Sequence, residues 1–557
     1  MNLHFANIGK QTYLKQEIHP KSSINSPKNH YNSFVWFDVH ENEIISIIKS
    51  LSSDKASGVD NISIKILKKI NYHIAPVISE LTNQAFHEGN YPNCLKLAKV
   101  IPIFKSGSKT LPGNYRPISL LSNINKIIEK AIYSRLYKFF TKFNILNSSQ
   151  FGFREGHSTT LALSEFVESI LSSFDKGNAV CAVLLDLSKA FDCVDRKILL
   201  DKLEYIGING KMHNLIKSYL TERKQFVNFG GHESDWEGVE VGVPQGSVLG
   251  PLLFLVYIND LQNNTSLNVL NFADDTLLYT TFKKDNYKTD TAYLNSELGN
   301  VSKWLKDNRL KLNTDKTRYM LFHSGKTKVW KNTNLHIKIG NTSILKVENY
   351  KYLGFTIDSN LNWSDHIDAV KTKLLKTIGI LYKTRYFLNQ NSLYYIFNSL
   401  LMSHVRYGLL CWGRASKTKI TEIDKLINRA LRCIHSKDRN ESVKSIKIEK
   451  KILDVKNMFK YEVGVFMHKF KRDTLPVNFK PYFTNVNKMH NHLTRFAETN
   501  YFFPRVNSLF GLKTLSYLGS KLWEELPRNL IDQSYLGAFQ YGMRENLLKR
   551  QSEKYQD

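Results

Sequence analysis

Three aspartates carry the chemistry that this chain suggests. Asp274 and Asp275 stand side by side in Asn-Phe-Ala-Asp-Asp-Thr-Leu-Leu-Tyr (271–279), and Asp186 closes the seven-residue apolar run 179–185. Val269, Leu270 and Phe272 precede the adjacent pair and Leu277, Leu278 and Tyr279 follow it. That pattern predicts strand, tight turn, strand, with both carboxylates at the tip. Neighbouring carboxylates repel, so the pair needs solvent or cations around it. Alone it reads equally well as an acidic surface turn, because Asp is a common turn residue. Asp186 adds a second signal: an apolar run of that length marks a buried central strand presenting a carboxylate at its C-terminal end. Antiparallel packing would gather the three acids, and Lys189 is the only base in either motif. Such a cluster calls for divalent metal. Two Mg2+ ions about 3.5–4 Å apart, with Mn2+ as an alternative ion, would activate a hydroxyl and stabilise a departing pyrophosphate.

The elements that must position these acids form a mixed α and β scaffold. Strands are expected near 180–186, 269–273, 276–280, 318–322 and 350–357, alternating with helical stretches. A short strand at 100–104 leads into a Gly/Pro/Ser-rich loop, and 124–140 reads as a helix. In 41–51, Ile44, Ile45, Ile47, Ile48 and Leu51 share one helical face. Residues 1–40 are polar and irregular, include Pro20 and Pro27, and read as a linker or the remnant of something upstream. Beyond about residue 365 the pattern is mainly helical to the end.

Charge narrows the class of partner. Lys and Arg number 78 against 50 Asp and Glu, a net +28, which points to a polyanion such as nucleic acid. The surplus is concentrated late: 371–557 holds 34 basic and 15 acidic residues, and 371–421 holds nine Lys or Arg and no acid. Tyr382, Tyr386, Phe387, Tyr394, Tyr395, Phe397, Tyr407 and Trp412 are interleaved there, as in a groove that tracks a nucleic-acid backbone. Five cysteines without CxxC spacing argue against a zinc knuckle or a disulfide framework and suit a reducing compartment. No apolar run approaches the roughly 20 residues of a membrane helix, and the start is no signal peptide, so an intracellular protein without a membrane partner is expected.

The motifs, taken in order, resemble the reverse transcriptase of a non-LTR (LINE-type) retrotransposon, closest to the jockey-like group. Asp-Leu-Ser-Lys-Ala-Phe-Asp (186–192) is similar to the family's first catalytic motif and Phe-Ala-Asp-Asp (272–275) to its second. The resemblance implies an RNA-directed DNA polymerase with an α+β, right-hand architecture. Fingers and palm would occupy 51–357, after an N-terminal extension (1–50). A basic, helical thumb-like region would follow at 358–470 and a C-terminal region of unknown role at 471–557.

By the same resemblance Asp186, Asp274 and Asp275 are the metal ligands, and Phe191 is the steric gate that favours dNTPs. Lys105 and Arg116 grip the triphosphate, which suits a point charge and a planar fork. Gln245 and Gly246, in Gly-Val-Pro-Gln-Gly-Ser (242–247), lie against the nucleotide and templating base. Arg154 contacts the template backbone, Lys316 protonates the leaving pyrophosphate, and Tyr352, Leu353 and Gly354 form the primer-grip turn. The implied partners are an RNA template, a DNA primer and dNTPs, with action in the nucleus. The segment ahead of the first motif is too short for the endonuclease that related elements carry, so nicking is expected from another chain or was lost by truncation. A catalytically silent or co-opted RNA-binding remnant and a maturase-like RNA-splicing factor are the competing readings.

Overall fold

The computed structural model describes residues 1–13, 32–325, 329–330, 333, 335–486 and 501–556. In chain order the strands are β1 (Leu97–Phe104), β2 (Tyr115–Leu120), β3 (Ala179–Leu185), β4 (Arg223–Phe229), β5 (His232–Glu233), β6 (Glu237–Val239) and β7 (Asn268–Phe272). They continue with β8 (Asp275–Phe282), β9 (Arg318–Phe322), β10 (Lys338–Ile339), β11 (Thr342–Ser343), β12 (Leu345–Lys346), β13 (Asn349–Tyr352) and β14 (Phe355–Asp358).

The axis of the larger sheet is β3, all seven of whose residues are buried. Its period of two divides them between two apolar clusters. Val180, Ala182 and Leu184 enter one; Ala179, Cys181, Val183 and Leu185 enter the other. Covered faces on both sides explain why the sequence here is continuously apolar rather than alternating. Antiparallel β8 and β9 flank β3, and the sheet order is β12-β9-β3-β8-β7. The register pairs Leu185 with Thr276, so Asp186 follows one residue beyond the ladder. A second sheet joins β2, β1, β4 and β5, with β6 also on β4; β1 runs antiparallel to β2 and parallel to β4.

The two clusters tie distant parts of the chain to the β3 sheet. One collects Ile170 from the helix Thr159–Asp175, Leu374 from Ser364–Thr384, Ile427 from Lys417–Ile434, Phe466 from Val455–Lys471 and Trp523 from Leu515–Glu524. The other collects Ile44 and Ile48 from Glu41–Ser50, Ile128 from Asn123–Lys142 and Leu253 from Leu249–Ile258. That last helix is apolar all round because it is buried all round. No described helix is long and apolar enough to cross a membrane.

The start of the chain differs from the irregular extension that its composition suggests. Asn2–Tyr13 is a helix that packs on β4 and β6, with Phe5, Ala6 and Ile8 buried. The Asn2 amide donates to the carbonyls of Gln225 (3.3 Å) and Asp235 (2.8 Å) and accepts from the Gln225 side chain (3.1 Å). So short a polar helix owes its order to docking rather than to propensity, which is why periodicity misses it. Pro20 and Pro27 lie outside the described residues.

Candidate active site

The Asp-Asp turn is held from beneath by a loop distant in sequence. β7 and β8 pair down to Phe272 and Asp275, leaving Ala273 and Asp274 as the two turn residues, with Ala273 left-handed at φ 58. The Gln150 side-chain oxygen accepts from the backbone N–H groups of both Ala273 (3.0 Å) and Gly152 (2.8 Å). Phe151 N–H donates to the Asn271 carbonyl at 2.8 Å, and Asn271 N–H to that of Ser149 at 2.8 Å. A Cβ on Gly152 would collide with the backbone nitrogen of Ala273, so only glycine permits this approach.

The three acids meet at the end of the β3 ladder. The Asp275 side of the turn is exposed, yet the protein around its carboxyl, then Asp274 and Asp186, push it up to about 6. Asp274 is also raised, by burial first, with Asp186 adding to the effect and Arg116 and Lys105 opposing it. These are neighbouring oxygen donors whose charges oppose one another, a setting that a hard divalent cation suits. Their spacing is looser than a ligand cage: among the described residues no group of three His, Cys, Asp or Glu stands close enough to hold a metal ion. Asp186 is fixed through its backbone, its carbonyl accepting from Asn313 N–H (2.8 Å) and its N–H donating to Thr317 Oγ1 (3.3 Å).

Two exposed cations face this cluster from the β1–β2 hairpin. Arg116 pairs with Ile103 across the hairpin, and Lys105 N–H donates to the Asn114 carbonyl at 2.9 Å. Both side chains act electrostatically on Asp274, and Lys105 also on Asp275, opposing the rise of their carboxyls. Phe191 is stacked on Phe254 at 4.4 Å, and its carbonyl accepts from Val243 N–H at 3.0 Å. The next loop is sewn to β2: Ser119 N–H donates to the Gln245 carbonyl at 2.9 Å, and left-handed Gly246 (φ 108) rests against the Ser119 carbonyl.

The remaining expected residues sit at differing removes. Lys316 is exposed in the loop whose Asn313 and Thr317 hold Asp186. Arg154 turns its guanidinium inward, donating to the carbonyls of Asn147 (2.7 Å) and Gln150 (3.1 Å), so it stiffens the loop beneath the Asp-Asp turn. Tyr352, Leu353 and Gly354 form the β13–β14 turn, with φ 48 at Leu353 and 85 at Gly354. The Tyr352 hydroxyl is buried without a partner among the described residues, and Asp275, after burial, drives its phenol upward.

Sequence reasoning missed three supporting residues. Gln150 opens Gln-Phe-Gly-Phe-Arg-Glu-Gly-His-Ser-Thr (150–159), the motif that also holds Arg154, and nothing in that pattern singles it out. Tyr407, counted among the aromatics of the basic stretch, donates its hydroxyl to the Leu353 carbonyl at 2.7 Å and stacks on Phe355 at 4.7 Å. Asp192, the last residue of the first motif, accepts from the Gln245 amide at 2.8 Å.

Residues 103–357, a span that includes every site residue above except Tyr407, match the family model for reverse transcriptase (RNA-dependent DNA polymerase). That span, 103–357, is the part of the chain matched as a reverse transcriptase domain. The chain's relatives are polymerases of jockey-like and other non-LTR elements. It is 31% identical to the probable RNA-directed DNA polymerase from transposon BS of Drosophila melanogaster, over 70% of this chain and 44% of that protein. It is 28% identical to the RNA-directed DNA polymerase from mobile element jockey of Drosophila melanogaster, over 77% and 48%. With the Pol polyprotein from type-1 retrotransposable element R1 of Bradysia coprophila the identity is 25%, over 71% and 39%. The chain thus spans less than half the length of these curated relatives.

Proposed function

We propose that this chain is an active RNA-directed DNA polymerase that extends a DNA primer 3′-hydroxyl along an RNA template with dNTPs. The observation that carries the proposal is the meeting of Asp186, Asp274 and Asp275 at one end of the β3–β8 ladder, with Lys105 and Arg116 facing them from another sheet. The β3 sheet serves as palm and the β1–β2 hairpin as part of the fingers, within 51–357; the basic helices of 358–470 act as thumb. Asp186, Asp274 and Asp275 would hold two Mg2+ ions, which when bound lower the charge on the reacting phosphate and activate the primer hydroxyl.

The residues of the chain do the rest by position and charge. Lys105 and Arg116, exposed and making no side-chain ion pair among the described residues, are available to a triphosphate. Phe191, braced by Phe254, limits space beneath the sugar and excludes a 2′-hydroxyl. The Leu353–Gly354 turn, held by Tyr407, supports the primer end. Lys316, on the loop that holds Asp186, gives a proton to departing pyrophosphate. Oligo(dT) annealed to poly(rA), with dTTP and Mg2+, provides the test. Wild type should incorporate label and Asp274→Ala/Asp275→Ala should not, while still binding RNA. RNA binding without incorporation by wild type would leave an RNA-binding remnant as the better description.

A further inference from the structure

Asp192 ends the same motif that Asp186 begins, six residues on, and lies against the Gln245 loop. Its Oδ1 accepts from Gln245 Nε2 at 2.8 Å. The contact is closely built. The backbone of Asp192 runs against Gly242, and Arg196 donates to the carbonyls of Gly242 (3.1 Å) and Val239 (2.9 Å), fixing the loop from the side. Gly9 of the N-terminal helix packs on the Asp192 carbonyl from behind. Together these elements line a cavity of about 50 Å3 beneath the loop, with Asp192, Gln245, Ser119 and Phe5 in its wall.

An amide has two chemically different ends, and a buried neighbour decides which one it presents. Burial pushes the Asp192 carboxyl up to about 6, with Gln245, Lys189 and Arg116 opposing, so it is mainly ionised at neutral pH. An ionised carboxylate only accepts. Gln245 must therefore turn its nitrogen to Asp192, and its Oε1 is left to meet a substrate donor.

We propose that Asp192 is a positioning residue for nucleotide recognition: it locks the Gln245 amide so that the acceptor oxygen faces a donor on the incoming dNTP, such as a sugar hydroxyl. The inference rests on the polymerase reading above. Asparagine at 192 could accept through Oδ1 or donate through Nδ2, so both amide orientations of Gln245 would become available. The lock would be lost with little change of shape.

The experiment is a double-mutant cycle on single-nucleotide extension of a poly(rA)·oligo(dT) end. Asp192→Asn should raise the KM for dTTP about tenfold, the effect falling on KM more than on kcat, as expected when one charge-assisted hydrogen bond is lost. In a Gln245→Ala background the same substitution should change nothing further, because the partner through which it acts is gone. Asp192→Ser, which removes the carboxylate without adding bulk, provides a second reading of the same cycle. An equal effect in both backgrounds, as a merely structural role would give, overturns the inference; so does an unchanged KM in the wild-type background. Absence of incorporation by wild type would overturn the polymerase reading and this inference with it.

Discussion

Truncating Glu168 to alanine should destabilise the protein by about 3–5 kcal/mol and release its C-terminal helices, because it would strand a buried cation. Glu168 is 3% exposed and Arg414 is 6% exposed. One carboxylate oxygen accepts from Arg414 Nη1 at 3.2 Å and from Leu515 N–H at 2.7 Å; the other accepts from Ser516 N–H at 3.1 Å and from its hydroxyl at 3.1 Å. Among the described residues, removing the side chain leaves the Arg414 guanidinium only its Nε donation to the Leu410 carbonyl at 3.2 Å. It also unpairs backbone N–H groups in the first turn of Leu515–Glu524, a loss of about 1 kcal/mol for a helix start. Glu168→Gln keeps an acceptor oxygen but not the charge and should fall between wild type and alanine. Glu168→Leu/Arg414→Met removes both charges and should recover most of the loss. Thermal melting followed by circular dichroism reads the stability, and limited proteolysis reads protection of 515–556. If Glu168→Ala melted within a degree of wild type, with those helices still protected, the ion pair would not anchor the region and the reasoning would fail.

Four further outcomes follow from other contacts. Phe191→Ala should raise ribonucleotide insertion measured with rUTP against dTTP; unchanged sugar selectivity would remove its role as a gate. Tyr407→Phe deletes only the hydroxyl that holds the Leu353 carbonyl, worth about 1 kcal/mol, and should shorten products made per binding event in the presence of a trap. Neutralising Lys373, Lys376 and Lys383, all exposed, should lower the salt slope of template-primer binding by up to about three; an unaltered slope would mean a merely solvated face. Glu165 is pushed up to about 7 by burial, with the Asn478 amide opposing. Its neutral form is therefore the one that the fold favours. The stability it contributes is fully present below the ordinary value of 4.5 and lost as pH rises through about 7. Glu165→Gln should accordingly gain roughly 1–3 kcal/mol over wild type by pH 8, and parallel melting curves from pH 5 to 8 would contradict this.

The parts of the fold legible in the sequence are those where one strong local rule applies. Seven apolar residues ending in Asp186 identified β3, and the apolar flanks of Asp274 and Asp275 identified the β7–β8 hairpin, because period and turn chemistry act within a few residues. The strands β4 to β6 and the helix Asn2–Tyr13 were not legible. Arg-Lys-Gln-Phe-Val-Asn-Phe (223–229) alternates weakly, and its partners β1 and the N-terminal helix lie far off in sequence. The same limit applies to the site. Asp186 and Phe191 could be picked out by motif, whereas Gln150 and Asp192 act by contacts that only the folded chain brings together. Arg154 illustrates the reverse: its place in a motif suggests a template contact, while its guanidinium is occupied by its own loop.

The helix Thr159–Asp175 gives the region after residue 471 a mechanical connection to the acids. Three of its carboxylates each receive a different late segment: Glu165 the Asn478 amide at 2.9 Å, Glu168 the start of Leu515–Glu524, and Asp175 the N–H groups of Asn507 (3.0 Å) and Ser508 (2.7 Å). At its other end Thr159 meets the Tyr407 hydroxyl at 3.1 Å, and the loop just before it carries Gln150 under the Asp-Asp turn. One rigid element thus links the C-terminal helices, the β13–β14 turn and the turn that bears Asp274. A segment docked by carboxylates along the whole helix restrains its tilt, and any tilt would move Gln150 relative to Ala273. On this argument, loosening the C-terminal anchor reaches the chemistry through geometry. Glu168→Ala should then lose catalytic rate at temperatures well below its melting point, where the palm itself remains folded.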